Sequence, residues 1–116
     1  MTSEKRYFIA DLTEIVPVPC PCGMTSRAFI AESGNRTSFH VVDIKKDAEK
    51  HYHKNHLEIY YVLEGTGWIE VDDEIIPLSP GKAVLIQEFC RHRAIGKLKI
   101  ANVSIPAYDP EDEWFD

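Results

Sequence analysis

The stretch His51-Tyr52-His53-Lys54-Asn55-His56-Leu57-Glu58-Ile59-Tyr60-Tyr61-Val62-Leu63-Glu64-Gly65 decides how this chain folds and what it can bind. Side chains two apart on an extended strand leave from one face, so His51 and His53 offer two imidazole nitrogens to one point in space. On a helix the pair would diverge by roughly 200°, at about 100° per residue, and would not chelate. Residues 58–63 are rich in β-branched and aromatic types, which favours a strand, and the two glycines of Gly65-Thr66-Gly67 predict a turn after it. Residues 54–57 form a short connection. Whether it closes a hairpin or crosses between two walls of a barrel, Glu58 joins His51 and His53 on one interior face, and Tyr60 and Val62 follow by the period of two. A further ligand, His92, arrives from a later strand.

Outward from this stretch the chain reads as short strands punctuated by turns. The pattern predicts strands over 7–10, 27–31, 38–44, 50–54, 58–63, 68–71, 74–78, 83–87, 91–95 and 98–105. Turn chemistry falls at Ser33-Gly34-Asn35, Gly65-Thr66-Gly67, Asp72-Asp73, Ser79-Pro80-Gly81 and Gly96-Lys97. Even spacing without a helical period predicts an all-β sandwich or barrel. Val16-Pro17-Val18-Pro19-Cys20-Pro21-Cys22-Gly23 is too rich in proline for a central strand. The acidic tail 109–116, with Trp114 and Phe115, is expected to dock on a surface or a partner subunit.

Two segments resemble the motifs of the cupins. His51-x-His53-x4-Glu58-x6-Gly65 is similar to the first, G-x5-H-x-H-x3-4-E-x6-G. Pro80-Gly81-Lys82-Ala83-Val84-Leu85-Ile86-Gln87-Glu88-Phe89-Cys90-Arg91-His92 is similar to the second, G-x5-P-x-G-x2-H-x3-N. The resemblance covers roughly residues 45–96 and implies a double-stranded β-helix, or jelly-roll, barrel within one domain spanning 1–116. It implies that His51, His53, Glu58 and His92 hold one divalent transition metal, with Fe, Mn, Ni, Co and Zn all compatible with such ligands. The departures are Lys45 at the opening glycine, Gln87-Glu88-Phe89 in place of Pro-x-Gly, and Gly96 in place of asparagine. They predict a loop before His92 that is either longer in its turn or less sharply bent.

Cupins of this kind include dioxygenases, isomerases and non-catalytic binding proteins. The expectation is a metal-dependent enzyme of dioxygenase or isomerase type acting on a polar organic acid or sugar-like molecule, with a metal-dependent binding or sensing protein as the alternative. Tyr60 is the candidate for proton transfer, and Arg27, His40 and Gln87 are candidate substrate contacts. Trp68 is expected beside Tyr60 near the lumen. His56, in the connection, is expected to be solvated. Cys20, Cys22 and Cys90 are expected to be free thiols, because C-x-C is neither a C-x-x-C redox loop nor half of a completed zinc site.

At 116 residues, 44% hydrophobic and 28% charged, the chain has the composition of one soluble domain. A formal net charge of -6 disfavours a nucleic-acid partner, and no helix-turn-helix pattern flanks the barrel. No apolar run approaches the roughly 20 residues needed to span a bilayer, and the N-terminus lacks the apolar core of a signal peptide, so a cytoplasmic location is expected. A homodimer is expected from the resemblance and from the edge strands such a short barrel must cover.

Overall fold

The computed structural model describes residues 5–116; residues 1–4, part of the segment read for a signal peptide, lie outside them. Seven strands make up the regular structure: β1 (Val18–Cys20), β2 (Gly23–Ala28), β3 (Ser38–Ile44), β4 (Leu57–Val71), β5 (Glu74–Leu78), β6 (Ala83–Ile86) and β7 (His92–Ile105). All pairings are antiparallel, in the order β1-β2-β3-β7-β4-β5, with β6 also on β4. This is the all-β jelly-roll architecture expected from the motifs. Among the described residues no helix is long and apolar enough to cross a membrane.

Two turns expected from glycine are absent. Gly65-Thr66-Gly67 lies inside β4 and Gly96-Lys97 inside β7, and Gly67 faces Gly96 across the ladder. A Cβ on Gly67 would stand 2.1 Å from the Ile95 carbonyl oxygen, so these glycines serve a close approach of two backbones. The result is a pair of long strands shared by both walls of the barrel. The first half of β4 carries β6 on its free edge and the second half carries β5, while β7 runs along both.

A bulge between Val62 and Glu64 resets the alternation of β4. Glu58, Tyr60 and Val62 face inward before it, and Gly67 and Ile69 after it. That one-residue shift turns Trp68 outward, 51% exposed, rather than into the lumen as expected. The core comprises Val42, Ile44, Val62, Ile69, Leu78, Ile86, Leu98 and Ile100.

The other boundaries differ modestly. Residues 7–10 form no strand, and the strand expected over 27–31 is β2, which ends at Ala28. The expected strand over 50–54 shrinks to two bridges: His51 pairs with His92, and Tyr52 with Trp114. The proline-rich segment supplies β1, which occupies an edge, where a missing N–H is tolerated. Phe89, at the position of the motif's glycine, adopts φ 70°, so the loop before His92 keeps a sharp left-handed bend without glycine.

Candidate metal centre

His51 and His92 exchange both backbone hydrogen bonds, at 3.1 and 2.8 Å, and Tyr52 does the same with Trp114 at 3.0 Å. A two-residue strip is thereby clamped between the start of β7 and the C-terminal tail. This brings the rings of His51 and His92 to 4.4 Å, and His53 to 5.1 and 5.2 Å from them. One potential ligand atom from each of these three histidines lies within 4.8 Å of the others.

The hydrogen bonds of these rings fix their protons. His51 Nδ1 donates to Glu49 O at 3.0 Å, His53 Nδ1 to Asp112 O at 2.7 Å and His92 Nδ1 to Cys90 O at 2.9 Å. A carbonyl only accepts, so Nδ1 carries the proton in each ring and the lone pair falls to Nε2. Nε2 of His53 and of His92 is buried without a hydrogen-bond partner, and His92 is fully buried. Glu58 completes the group. Its Oε1 lies 2.5 Å from His53 Nε2, a close approach that lacks hydrogen-bond alignment, and 4.0 Å from His92 Nε2. Its Oε2 accepts from Asn102 Nδ2 at 2.9 Å. Buried nitrogen lone pairs facing a carboxylate, each ring oriented through its other nitrogen, fit a divalent metal ion.

Electrostatics agree. Burial pushes His92 down to about 4, against the pull of Glu58, which keeps it neutral as a ligand must be. Burial also opposes charge on His53, but the Glu58 carboxylate outweighs it, so His53 is raised. Burial would raise Glu58, yet the adjoining imidazoles of His53, His56 and His92 hold it well below the usual carboxylate range.

His56 corrects the expectation of a solvated side chain. It is 3% exposed, its Nδ1 donates to Asp112 Oδ2 at 2.8 Å, and its Nε2 lies 3.4 Å from Glu58 Oε1. Asp112 also accepts from the backbone N–H groups of Lys54 and Asn55 and from Trp114 Nε1. Burial would raise Asp112, but these donors hold it down to about 2. Although His53, His56 and Asp112 also lie within ligand distance of one another, the Asp112 oxygens are occupied by donors. That trio is a staple binding the tail to the loop 54–57.

The cavity beside the centre has a volume of about 110 Å³ and is lined by Arg27, His40 and Tyr60, but not by Gln87. Gln87 is exposed, because Ile86 points inward and strand alternation turns its successor out. Arg27 stacks its guanidinium 4.1 Å from the Tyr108 ring centre and leaves a buried Nε without a partner. Thr25 Oγ1 and Asn102 Oδ1 are also buried and unpartnered, and both residues line the cavity. His40 Nε2 meets Ser38 Oγ at 2.7 Å, and burial pushes His40 down to about 4. Burial and the neighbouring Glu58 charge hold the Tyr60 phenol well above its usual range.

The family model described as "Cupin domain" matches residues 39–97, just over half of the chain. This chain is a cupin. It is 34% identical over 87 residues to L-ectoine synthase of Halomonas elongata, an alignment covering 71% of this cupin and 64% of that protein. The cupin therefore spans less than two thirds of that relative's length. A solved protein structure from Planctomyces limnophilus superposes with a TM-score of 0.89 at 40% identity, covering 94% of this cupin and 96% of that chain. Ectoine synthase from P. lautus shares the fold, with a TM-score of 0.78 at 24% identity over 93% and 88% of the two chains.

Asp112, Asn102 and Thr25 were not legible as site residues. Asp112 lies 59 residues from the histidine whose ring its carbonyl holds, within a run of acids that gives it no distinguishing mark.

Proposed function

We propose that this cupin is a metal-dependent enzyme acting on a small polar organic acid, with His51, His53, Glu58 and His92 holding one divalent ion of the Fe, Mn, Ni, Co or Zn class. The observation that carries the reading is the arrangement of three imidazoles, each with Nδ1 donated to a carbonyl and Nε2 left to the interior beside Glu58. When bound, such an ion polarises a carbonyl or hydroxyl oxygen and lowers the pKa of bound water.

The protein's own groups orient the substrate. Arg27 anchors the anionic end, its guanidinium held flat by Tyr108. Asn102 Oδ1 accepts from an N–H or O–H of the substrate, while Asn102 Nδ2 steadies Glu58. Tyr60, kept neutral by burial, donates a hydrogen bond or a proton to the reacting oxygen. Val42, Ile44 and Ile100 form apolar wall that excludes water. The guanidinium of Arg27 on the cavity wall, its Nε buried, favours an acid over a sugar, and the relatives' name, L-ectoine synthase, makes ectoine one compound to screen. Oxygenation and isomerisation remain the reaction types under test.

The decisive experiment loads metal-free protein separately with the five ions and screens polar organic acids, ectoine included, alongside phenols and sugars. Melting temperature, oxygen uptake and product mass are read together. Product or oxygen uptake with any stabilising acid, diminished by Arg27→Gln, supports the enzyme. Stabilisation without chemistry across all five metal forms overturns it in favour of a binding or sensing protein.

The reading includes a homodimer formed over the outer face on which Ile59, Tyr61 and Leu85 stand exposed in register. Light scattering of wild type and Tyr61→Glu tests it. A monomeric wild type at micromolar concentration refutes it.

A further inference from the structure

Cys20-Pro21-Cys22 stands apart from the metal centre but faces the same cavity. Cys20 closes β1 and pairs with Gly23, the first residue of β2, so Pro21 and Cys22 form the two-residue turn of a hairpin. The turn is pinned from below: Lys45 N and Lys46 N donate to Cys22 O at 2.8 and 3.2 Å. Gly23 lies so close to β3 that a Cβ there would meet the Asp43 carbonyl oxygen at 2.0 Å. This scaffold holds the two sulfurs 3.4 Å apart, both partly accessible. A disulfide needs about 2.05 Å, a short further approach within one turn.

The two thiols are unequal. The hydrogen bond between the two sulfurs, opposed by burial and helped by nearby backbone N–H groups and Arg27, brings Cys20 down to about 6. The same hydrogen bond, with burial, pushes Cys22 far up. Backbone N–H groups and Arg27 beside Cys20 favour the thiolate on that sulfur, next to a Cys22 thiol, the pairing that oxidation to a disulfide requires. Cys90 has no such neighbour. Burial raises its thiol, which meets Arg91 O at 3.8 Å.

We propose that Cys20 and Cys22 are a peroxide-sensitive dithiol on the wall of the cavity, Cys20 being the attacking sulfur and Cys22 the resolving one. The Cys20 thiolate bonds to one oxygen of hydrogen peroxide, the O–O bond breaks, and the departing hydroxide takes a proton to leave as water. Cys20 is then a sulfenic acid, oxidised by the two electrons that reduced the peroxide. The Cys22 sulfur attacks Cys20, the S–O bond breaks, and the leaving hydroxide takes the Cys22 proton as a second water. The product is an intraturn disulfide that replaces two thiols lining the cavity.

The test treats zinc-loaded protein at pH 7 with one equivalent of hydrogen peroxide. The expected product has lost about 2 Da, the two thiol hydrogens, within the peptide carrying residues 20–22. Cys90 stays alkylatable, and dithiothreitol restores the original mass. In Cys22→Ser a dimedone-reactive sulfenic acid accumulates on Cys20. In Cys20→Ser oxidation of Cys22 slows at least tenfold. Alkylation of Cys20 is half-maximal near pH 6, far below that of Cys90. Even oxidation of all three cysteines, or sulfinic acid at Cys20 without a disulfide in a chain whose melting curve is unchanged, overturns the proposal.

Discussion

Two walls of histidine meet at Glu58, and they differ in where the second ring nitrogen goes. On one wall, His51, His53 and His92 each give Nδ1 to a carbonyl and leave Nε2 to the interior. On the other, His56 has a carboxylate at each nitrogen, Asp112 at one and Glu58 at the other. The residue type is the same and the chemistry is opposite. A carbonyl partner leaves the far nitrogen free to take a metal ion, as proposed above, whereas two carboxylate partners make a structural cross-link.

The largest effect expected separates the walls outright. His92→Ala reduces bound metal, measured by elemental analysis after gel filtration, from about one ion per chain to less than about a tenth. His56→Ala keeps most of its metal but melts earlier, because it leaves Glu58 and Asp112 buried without their shared partner. Equal metal loss from the two would erase the distinction.

Next is Asp112→Ala, expected to cost about 3 kcal/mol in denaturant unfolding of the metal-free protein, since four donors lose their acceptor. The double variant with His56→Ala should cost clearly less than the sum, because both remove one network. Strict additivity would dissolve the staple into independent contacts.

Acid sharpens the contrast, since the walls fail in different pH windows. His53 is raised, so protons compete with metal there already above the ordinary value of about 6.5, and occupancy in a chelator-buffered titration falls as pH drops through that region. In the metal-free chain His53 contributes stability that is fully present below about 6.5 and lost as pH rises through its raised value. Asp112 has the opposite sign. Its contribution is present above the ordinary carboxylate value near 3.8 and lost as pH falls to about 2. Metal release and acid unfolding should therefore be separate transitions in the wild type. Asp112→Asn should weaken only the acidic component.

The smallest effect belongs to a residue on neither wall. Gln87→Ala should change stability by less than about 0.5 kcal/mol and leave metal content and acid-induced stabilisation untouched. A loss of either would return Gln87 to the site.

The sequence made the inward face of His51, His53, Glu58 and Tyr60 legible because period two is a local rule and its signal lies within a few residues. The same rule failed beyond Leu63, where one extra residue in the ladder inverted the parity and carried Trp68 outside. Gly65 and Gly67 were misread because a glycine admitting a close backbone neighbour has the same letter as one making a turn. His56 was misread for a different reason. Its burial depends on Asp112, and nothing near either residue announces a contact across 56 positions.

That separation orders events during synthesis. The histidine pair 51 and 53 leaves the ribosome 59 residues before the carbonyl that orients His53, a lag of roughly 3–12 s at ordinary elongation rates. Through that interval the His53 ring lacks the Asp112 carbonyl that orients its Nδ1. Only when the tail locks down does the His53 ring acquire a fixed aim, so the proposed centre reaches its final geometry after translation has passed residue 112.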